Sequence, residues 1–261
     1  MQEMWLGDCL ELMPKIPNGS VDLVLCDLPY GITQNKWDCV IPLDKLWEQY
    51  LRIGKKNAVY AFTSSQPFTT TLISSNLKMW KHEWVWIKNI GGNFANTVRE
   101  PFKEHETVQI FSNGGWVYNK QMQERLPGGA ARVKYDISAS GRQEGSGNYG
   151  KFAGRERKKY SNLRIPSSWQ KFNRETGLHP TQKPVQLMEY LIKTYTNEGD
   201  LVLDNCAGSG TTLVAAKNLN RQFIGIEKEK KYYDICIERL GKINDSTNNN
   251  TQNTVESGAW I

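Results

Sequence analysis

The chain has 261 residues, enough to bury a full α/β core, with 33 Lys and Arg against 27 Asp and Glu and a net charge of +6. The modest basic excess suits a polyanionic partner, and no apolar run reaches the ~18 residues of a membrane span. Five scattered cysteines and three separated histidines exclude a disulfide framework and give a metal little to bind; with no signal-peptide pattern at the start, a cytoplasmic protein is expected.

In chain order, Gly7-Asp8-Cys9-Leu10 comes first, opening an amphipathic stretch. Asp8 is either a helix N-cap or an acceptor for a ligand's amino group. Val21 to Cys26 is a continuous apolar strand that ends on Asp27-Leu28-Pro29-Tyr30. Proline fixes φ and removes an N–H, so the carbonyls before it point in a set direction. A flat amino-bearing ring would stack on Tyr30 while its –NH₂ donates to the Asp27 carboxylate and the Leu28 carbonyl. Adenine and cytosine both fit that description. The alternative is a plain strand-to-loop turn with a polar cap.

Leu43 to Ile53 and Pro67 to Leu77 have helical patterns, and Ala58 to Phe62, Glu83 to Ile87 and Thr107 to Phe111 read as strands. Trp86, Lys88 and Asn89 either line a base pocket or, for Trp86, fill the core; His105-Glu106 is equally ambiguous. Ser112 to Leu178 breaks this rhythm, with few apolar runs and 13 Lys and Arg against 5 Asp and Glu. Such a concentration of charge, interleaved with aromatics, is the footprint of a nucleic-acid contact, or else a solvated loop. Its densest run is Arg155-Glu156-Arg157-Lys158-Lys159. Arg155 or Arg157 would read a guanine edge, and Lys158 and Lys159 would meet phosphates.

Pro184 to Tyr195 is a helix with Val185, Met188, Leu191, Ile192 and Tyr195 on one face and Pro184 in its first position. Asp200 to Thr212 then reads as strand, glycine loop and helix start, with Asp204 ending the strand. Phe223 to Ile226 is the next strand, closed by Glu227, which can accept both hydroxyls of a ribose; the last helix is Lys228 to Leu240. A strand, Gly-x-Gly, helix, strand and acid in this order suit an adenosine-containing ligand. The alternation of strands and helices predicts an α/β fold with a doubly wound, mostly parallel sheet covered on both faces. The Asn-, Thr- and Ser-rich end, residues 244–261, is expected to be a disordered tail.

These segments, together with His179-Pro180-Thr181-Gln182-Lys183-Pro184, resemble the β class of S-adenosylmethionine-dependent DNA amino-methyltransferases, over roughly residues 4–240. Asp27 to Tyr30 is similar to that family's Asp-Pro-Pro-Tyr motif, with Leu28 for a proline. Asp204 to Thr211 is similar to its cofactor loop, with Cys206 for an aromatic. Gly7 to Leu10 matches its N-terminal adenine-site element, and the order of the motifs is the β-class order.

The resemblance implies a Rossmann-like methyltransferase fold with permuted motif order, formed by residues 1–111 and 179–243, with 112–178 as a target-recognition insertion. It implies S-adenosyl-L-methionine as cofactor, held by Asp8, Cys9, Asp27, His179, Lys183, Asp204, Cys206, Ala207, Gly208, Ser209, Gly210, Thr211 and Glu227. His179 is also readable as a plain turn residue. Asp27, Leu28, Pro29 and Tyr30 would be catalytic, and the partner would be double-stranded DNA, whose target base must first flip out of the duplex. The leading aspartate favours adenine N6, since resembling cytosine-N4 enzymes more often begin this motif with serine. Cytosine-N4 methylation, methylation of structured RNA or a protein amide, and a non-catalytic nucleic-acid-binding module are the alternatives. The resemblance leaves room for a homodimer, for a cognate restriction endonuclease, and for a bacterial or phage source.

Overall fold

A computed structural model describes residues 1–31, 35, 38–125 and 163–241. Met1–Asn119 and the chain from Ser168 onward form one compact unit, and Lys120–Ser167 form a second.

The first unit is built on an eight-stranded sheet. Its strands are β1 (Gln2–Leu6), β2 (Val21–Cys26), β3 (Gly54–Ser64), β4 (Trp80–Ile87), β5 (His105–Ser112), β8 (Trp169–Lys171), β9 (Leu201–Asp204) and β10 (Gln222–Glu227), in the spatial order β1-β10-β9-β2-β3-β5-β4-β8. Only β5 pairs antiparallel, with β3 on one side and β4 on the other. The sheet is therefore mostly parallel, as the apolar strands predict.

Successive residues of each strand feed opposite faces. Val24, Cys26, Tyr60, Phe62 and Leu203 meet helices α2 (Leu43–Ile53) and α3 (Phe68–Ser75) in one core. Leu23, Leu25, Val59, Ala61 and Val202 meet α4 (Val185–Tyr195), α5 (Thr211–Asn218) and the helix over residues 230–241 in the other. In α4, Leu187, Met188, Leu191, Ile192 and Tyr195 form the buried stripe, each contributing roughly 1.5–3 kcal/mol. Pro184 is the N-cap of α4, one residue before the position its sequence suggests. No helix among the described residues is long and apolar enough to cross a membrane.

Two strands of this sheet escape the sequence pattern. β1 is an edge strand of mixed polarity, paired with β10 from Gln2↔Phe223 to Leu6↔Glu227. It has no alternation because neither of its faces is fully covered, every residue being exposed or half-buried. β8 lies within the predicted insertion but pairs with β4 through Val85↔Trp169 to Ile87↔Lys171. Asn119 likewise docks on α4, its N–H donating to the Thr194 carbonyl at 2.8 Å. The flanks 112–119 and 168–178, assigned to the insertion on charge, thus belong to the sheet unit. In the second unit the described residues include a short antiparallel pair, β6 (Gln123–Glu124) and β7 (Leu163–Arg164). Arg155, Arg157, Lys158, Lys159 and the tail 244–261 lie outside the described residues.

Candidate active site

β2 has β9 on one side and β3 on the other. The chain leaves β2 through α2 on one face and leaves β9 through α5 on the opposite face. The carboxyl ends of β2 and β9 therefore flank a switch point, where open α/β sheets leave a crevice. Asp27 follows the end of β2, Asp204 ends β9 and Glu227 ends β10, so three acids from distant positions share one edge.

Asp27 is fully engaged. Its Oδ1 accepts from the Tyr30 hydroxyl at 2.8 Å and from the Thr63 hydroxyl, and its Oδ2 accepts from Lys183 Nζ at 2.7 Å. Lys183, only 6% exposed, also faces Glu106 Oε2 at 3.5 Å, and Lys88 holds Glu106 Oε1 at 2.7 Å. The result is an alternating ladder of Asp27, Lys183, Glu106 and Lys88. Burial opposes the Lys183 ammonium, yet Asp27 and Glu106 outweigh it and hold its pKa above the usual lysine value. Burial likewise opposes the Glu106 carboxylate, but Lys183 and Lys88 hold its pKa below the usual range. Tyr30 stacks on Phe68 with centroids 5.1 Å apart, and burial followed by the Asp27 charge pushes its phenol well up. Gly31, in left-handed backbone at φ 68°, turns the chain out of this corner and donates to Asp38 Oδ1 at 2.8 Å.

The other half of the site is the glycine loop. Glu227 is 9% exposed, with Oε2 accepting from the Gly208 N–H and Oε1 from the Glu229 N–H, both at 2.7 Å. Asp204, 3% exposed, accepts from the Cys206 N–H at 3.1 Å, and burial raises its pKa to about 7. Burial also raises the Glu227 pKa. Asp8 is the N-cap of α1 (Cys9–Leu12), accepting from the Leu10 N–H with Oδ1, while Oδ2 pairs with Lys228 at 3.1 Å. The N-cap alternative thus holds without removing Asp8 from the cleft it lines. The His179 ring lies edge-on to Tyr232 at 4.2 Å, and burial lowers its pKa.

One cleft of about 880 Å³ joins the two halves, with Asp8, Asp27, Tyr30, Lys183, Asp204 and Glu227 along its wall. Cys9, Leu28, Pro29, His179, Cys206, Ala207, Gly208, Ser209 and Thr211 line it as well. Gly210 does not line it; it sits beneath the loop against Cys236. Lys183, grouped with the cofactor by resemblance, lines the cleft with its ammonium on Asp27. Trp86 is core, its indole N–H bonded to the Phe172 carbonyl at 2.8 Å, although its edge reaches the cleft. Thr63, Phe68 and Arg239 carry no sequence signal, because each acts through a partner far along the chain. Arg239, on the last helix, clamps the glycine loop through the Ser209 carbonyl at 2.7 Å.

A glycine loop and aspartate-ended strands flanking this crevice, on this sheet order, are consistent with a Rossmann-like methyltransferase fold. The chain belongs to the N6/N4 DNA methylase family, which matches residues 21–238. It is 25% identical to the Type II methyltransferase M.HindIII of Haemophilus influenzae, over 90% of this chain and 94% of that one. The Type II methyltransferase M2.LlaDCHI of Lactococcus lactis subsp. cremoris is 28% identical over 90% of this chain and 88% of its own. The solved complex of M1.HpyAVI with SAM superposes with a TM-score of 0.63 at 26% identity, covering 92% of this chain and all of that one. The protein is thus a DNA amino-methyltransferase that uses S-adenosyl-L-methionine.

The residues suit that cofactor. Two nearly buried carboxylates whose pKa values are pushed up gain from hydroxyl and ammonium donors. A Cβ at Gly208 would meet only the His179 ring, at 3.7 Å, so the loop backbone stays open to a ligand.

Proposed function

We propose that the protein methylates the N6 amino group of adenine in double-stranded DNA. The carrying observation is the Asp27 carboxylate itself, positioned by Thr63, Tyr30 and Lys183 at the cleft. An aromatic amine is a weak nucleophile because its lone pair is delocalised into the ring. Asp27 and the Leu28 carbonyl accept its two N–H bonds and return electron density to nitrogen, so catalysis is mainly positioning and electrostatics.

Lys183 occupies the Asp27 oxygen that the incoming amine needs, and Glu106 gives its ammonium a second anionic neighbour when the amine arrives. Tyr30, backed by Phe68, is the wall on which the extrahelical base stacks. Bound S-adenosyl-L-methionine supplies an electrophilic sulfonium methyl. Glu227 takes the ribose, Asp8 the adenine amino group, and Gly208, Ser209 and Thr211 the methionine part. Residues 120–167, with Arg155, Arg157, Lys158 and Lys159, supply target recognition. The bacterial relatives favour a bacterial cytoplasm and a partner restriction endonuclease.

The test is transfer of labelled methyl from S-adenosyl-L-methionine to unmethylated DNA, followed by nucleoside analysis. N6-methyladenine is expected. N4-methylcytosine would replace the adenine assignment, and no transfer by folded, cofactor-binding protein across varied DNA would overturn the whole reading.

A further inference from the structure

We infer that the connection between β4 and β5, residues 88–104, is a wedge that enters the DNA stack where the target base leaves it. β4 and β5 are antiparallel neighbours whose pairing ends at Ile87↔His105. A tight turn would join them. Instead a long excursion is built and held in place.

Asn93 organises it: Nδ2 donates to Glu100 Oε1 and to the Pro101 carbonyl, each at 3.0 Å, and Oδ1 accepts from the Lys103 N–H at 2.7 Å. The Phe102 ring lies so close over Gly91 that a Cβ there would meet it at 2.7 Å. At the tip, Asn96 accepts from the Arg99 and Glu100 N–H groups. This ordered loop presents apolar side chains to solvent, with Phe94 82% and Val98 86% exposed, and Ile90 more than half exposed. Single exposed apolar residues need no explanation, but several on one braced loop mark a contact surface.

The occupant follows from the loop's position. Gly92, Asn93, Ala95 and Asn96 line the same cleft as Asp27 and Tyr30. A base seated on Tyr30 leaves a gap in its duplex, and apolar side chains inserted between base steps can hold such a gap open. Exposed Arg99, beside Val98, suits the flanking phosphates. The inference rests on the cleft being the seat of an extrahelical base.

The test compares wild type with a Phe94→Ala/Val98→Ala double variant on two duplexes carrying the site mapped by methylation sequencing. One duplex is fully paired; the other is abasic opposite the target, so that the base has no pairing partner and leaves the stack easily. On paired DNA the variant's kcat/KM is expected to fall at least ~10-fold, with recovery to within about threefold on the abasic duplex, because only unstacking has been lost. Cofactor binding should not change, and Phe94→Leu should remain near wild type. A fluorescent analogue of the target base should brighten with wild type and less with the variant. Undiminished activity on paired DNA, or equal loss on both duplexes, would overturn the wedge. So would a wild-type dimer that the variant makes monomeric, which would assign the surface to a second copy. Wild-type methylation without any brightening would instead overturn the extrahelical base, and the wedge with it.

Discussion

Asp27 receives hydrogen bonds on both carboxylate oxygens from Tyr30, Thr63 and Lys183, each on a different element or turn. Removing the carboxylate should therefore leave the cofactor half of the cleft intact. Asp27→Ala is expected to bind S-adenosyl-L-methionine within about threefold of wild type in calorimetry while turnover falls at least ~10³-fold. Asp204 is the counterpart in the cofactor half. Its folded pKa of about 7 lies above the unfolded value of 3.8. Between these the folded state binds the extra proton, so this group makes stability fall as pH rises through that window. Asp204→Asn should raise the melting temperature of cofactor-free protein at about pH 8 but little at about pH 4, by up to ~4 kcal/mol in stability. The same change should weaken cofactor binding. An equal thermal gain at both pH values would contradict burial as the cause of the shift.

At the level of elements, the glycine loop depends on what lies under it. Gly210 caps α5 in left-handed backbone at φ 77°, and a Cβ there would collide with Cys236 Sγ. Gly210→Ala is expected to cost ~2–4 kcal/mol in chemical denaturation, combining backbone strain with overpacking. Gly210→Ala/Cys236→Ala should recover the packing part and leave the strain. Recovery of the full loss would show that φ at this position is not constrained. Arg239 and Cys236 reach the loop from the last helix, which is why residues near the end of the described chain support a glycine loop that lies about thirty residues earlier.

On the scale of the whole molecule, Lys120–Ser167 forms a unit of its own, and the residues flanking it, Asn119 and Ser168, belong to the sheet unit and are held within it. Asn119 donates to Thr194, and the Ser168 carbonyl accepts from the Val85 N–H at 2.8 Å. Replacing 120–167 by a Gly/Ser linker should leave cofactor affinity within about threefold and the sheet unit folded by circular dichroism, since anchored surface junctions tolerate exchange. DNA methylation should be lost. Retained site-specific methylation would place target recognition elsewhere, with the β4–β5 loop the first place to look.

Local chemistry made most of this protein legible in advance. Apolar strand runs, helical periodicity, the Asp27 to Tyr30 turn and the glycine loop each express their structure within a few residues, so element types and cofactor class could be read directly. β1 and β8 could not, because an edge strand of mixed polarity and a three-residue strand are stabilised by neighbours rather than by pattern. The partners of Asp27 were hidden for the same reason: Thr63, Lys183 and, behind it, Glu106 meet there only after β3, β5 and the segment before α4 are stacked side by side. The sequence by itself determined the core strands and helices and the family the chain belongs to. The tertiary structure decided which charges face one another, because Coulomb and hydrogen-bond energies depend on distance in space and not along the chain.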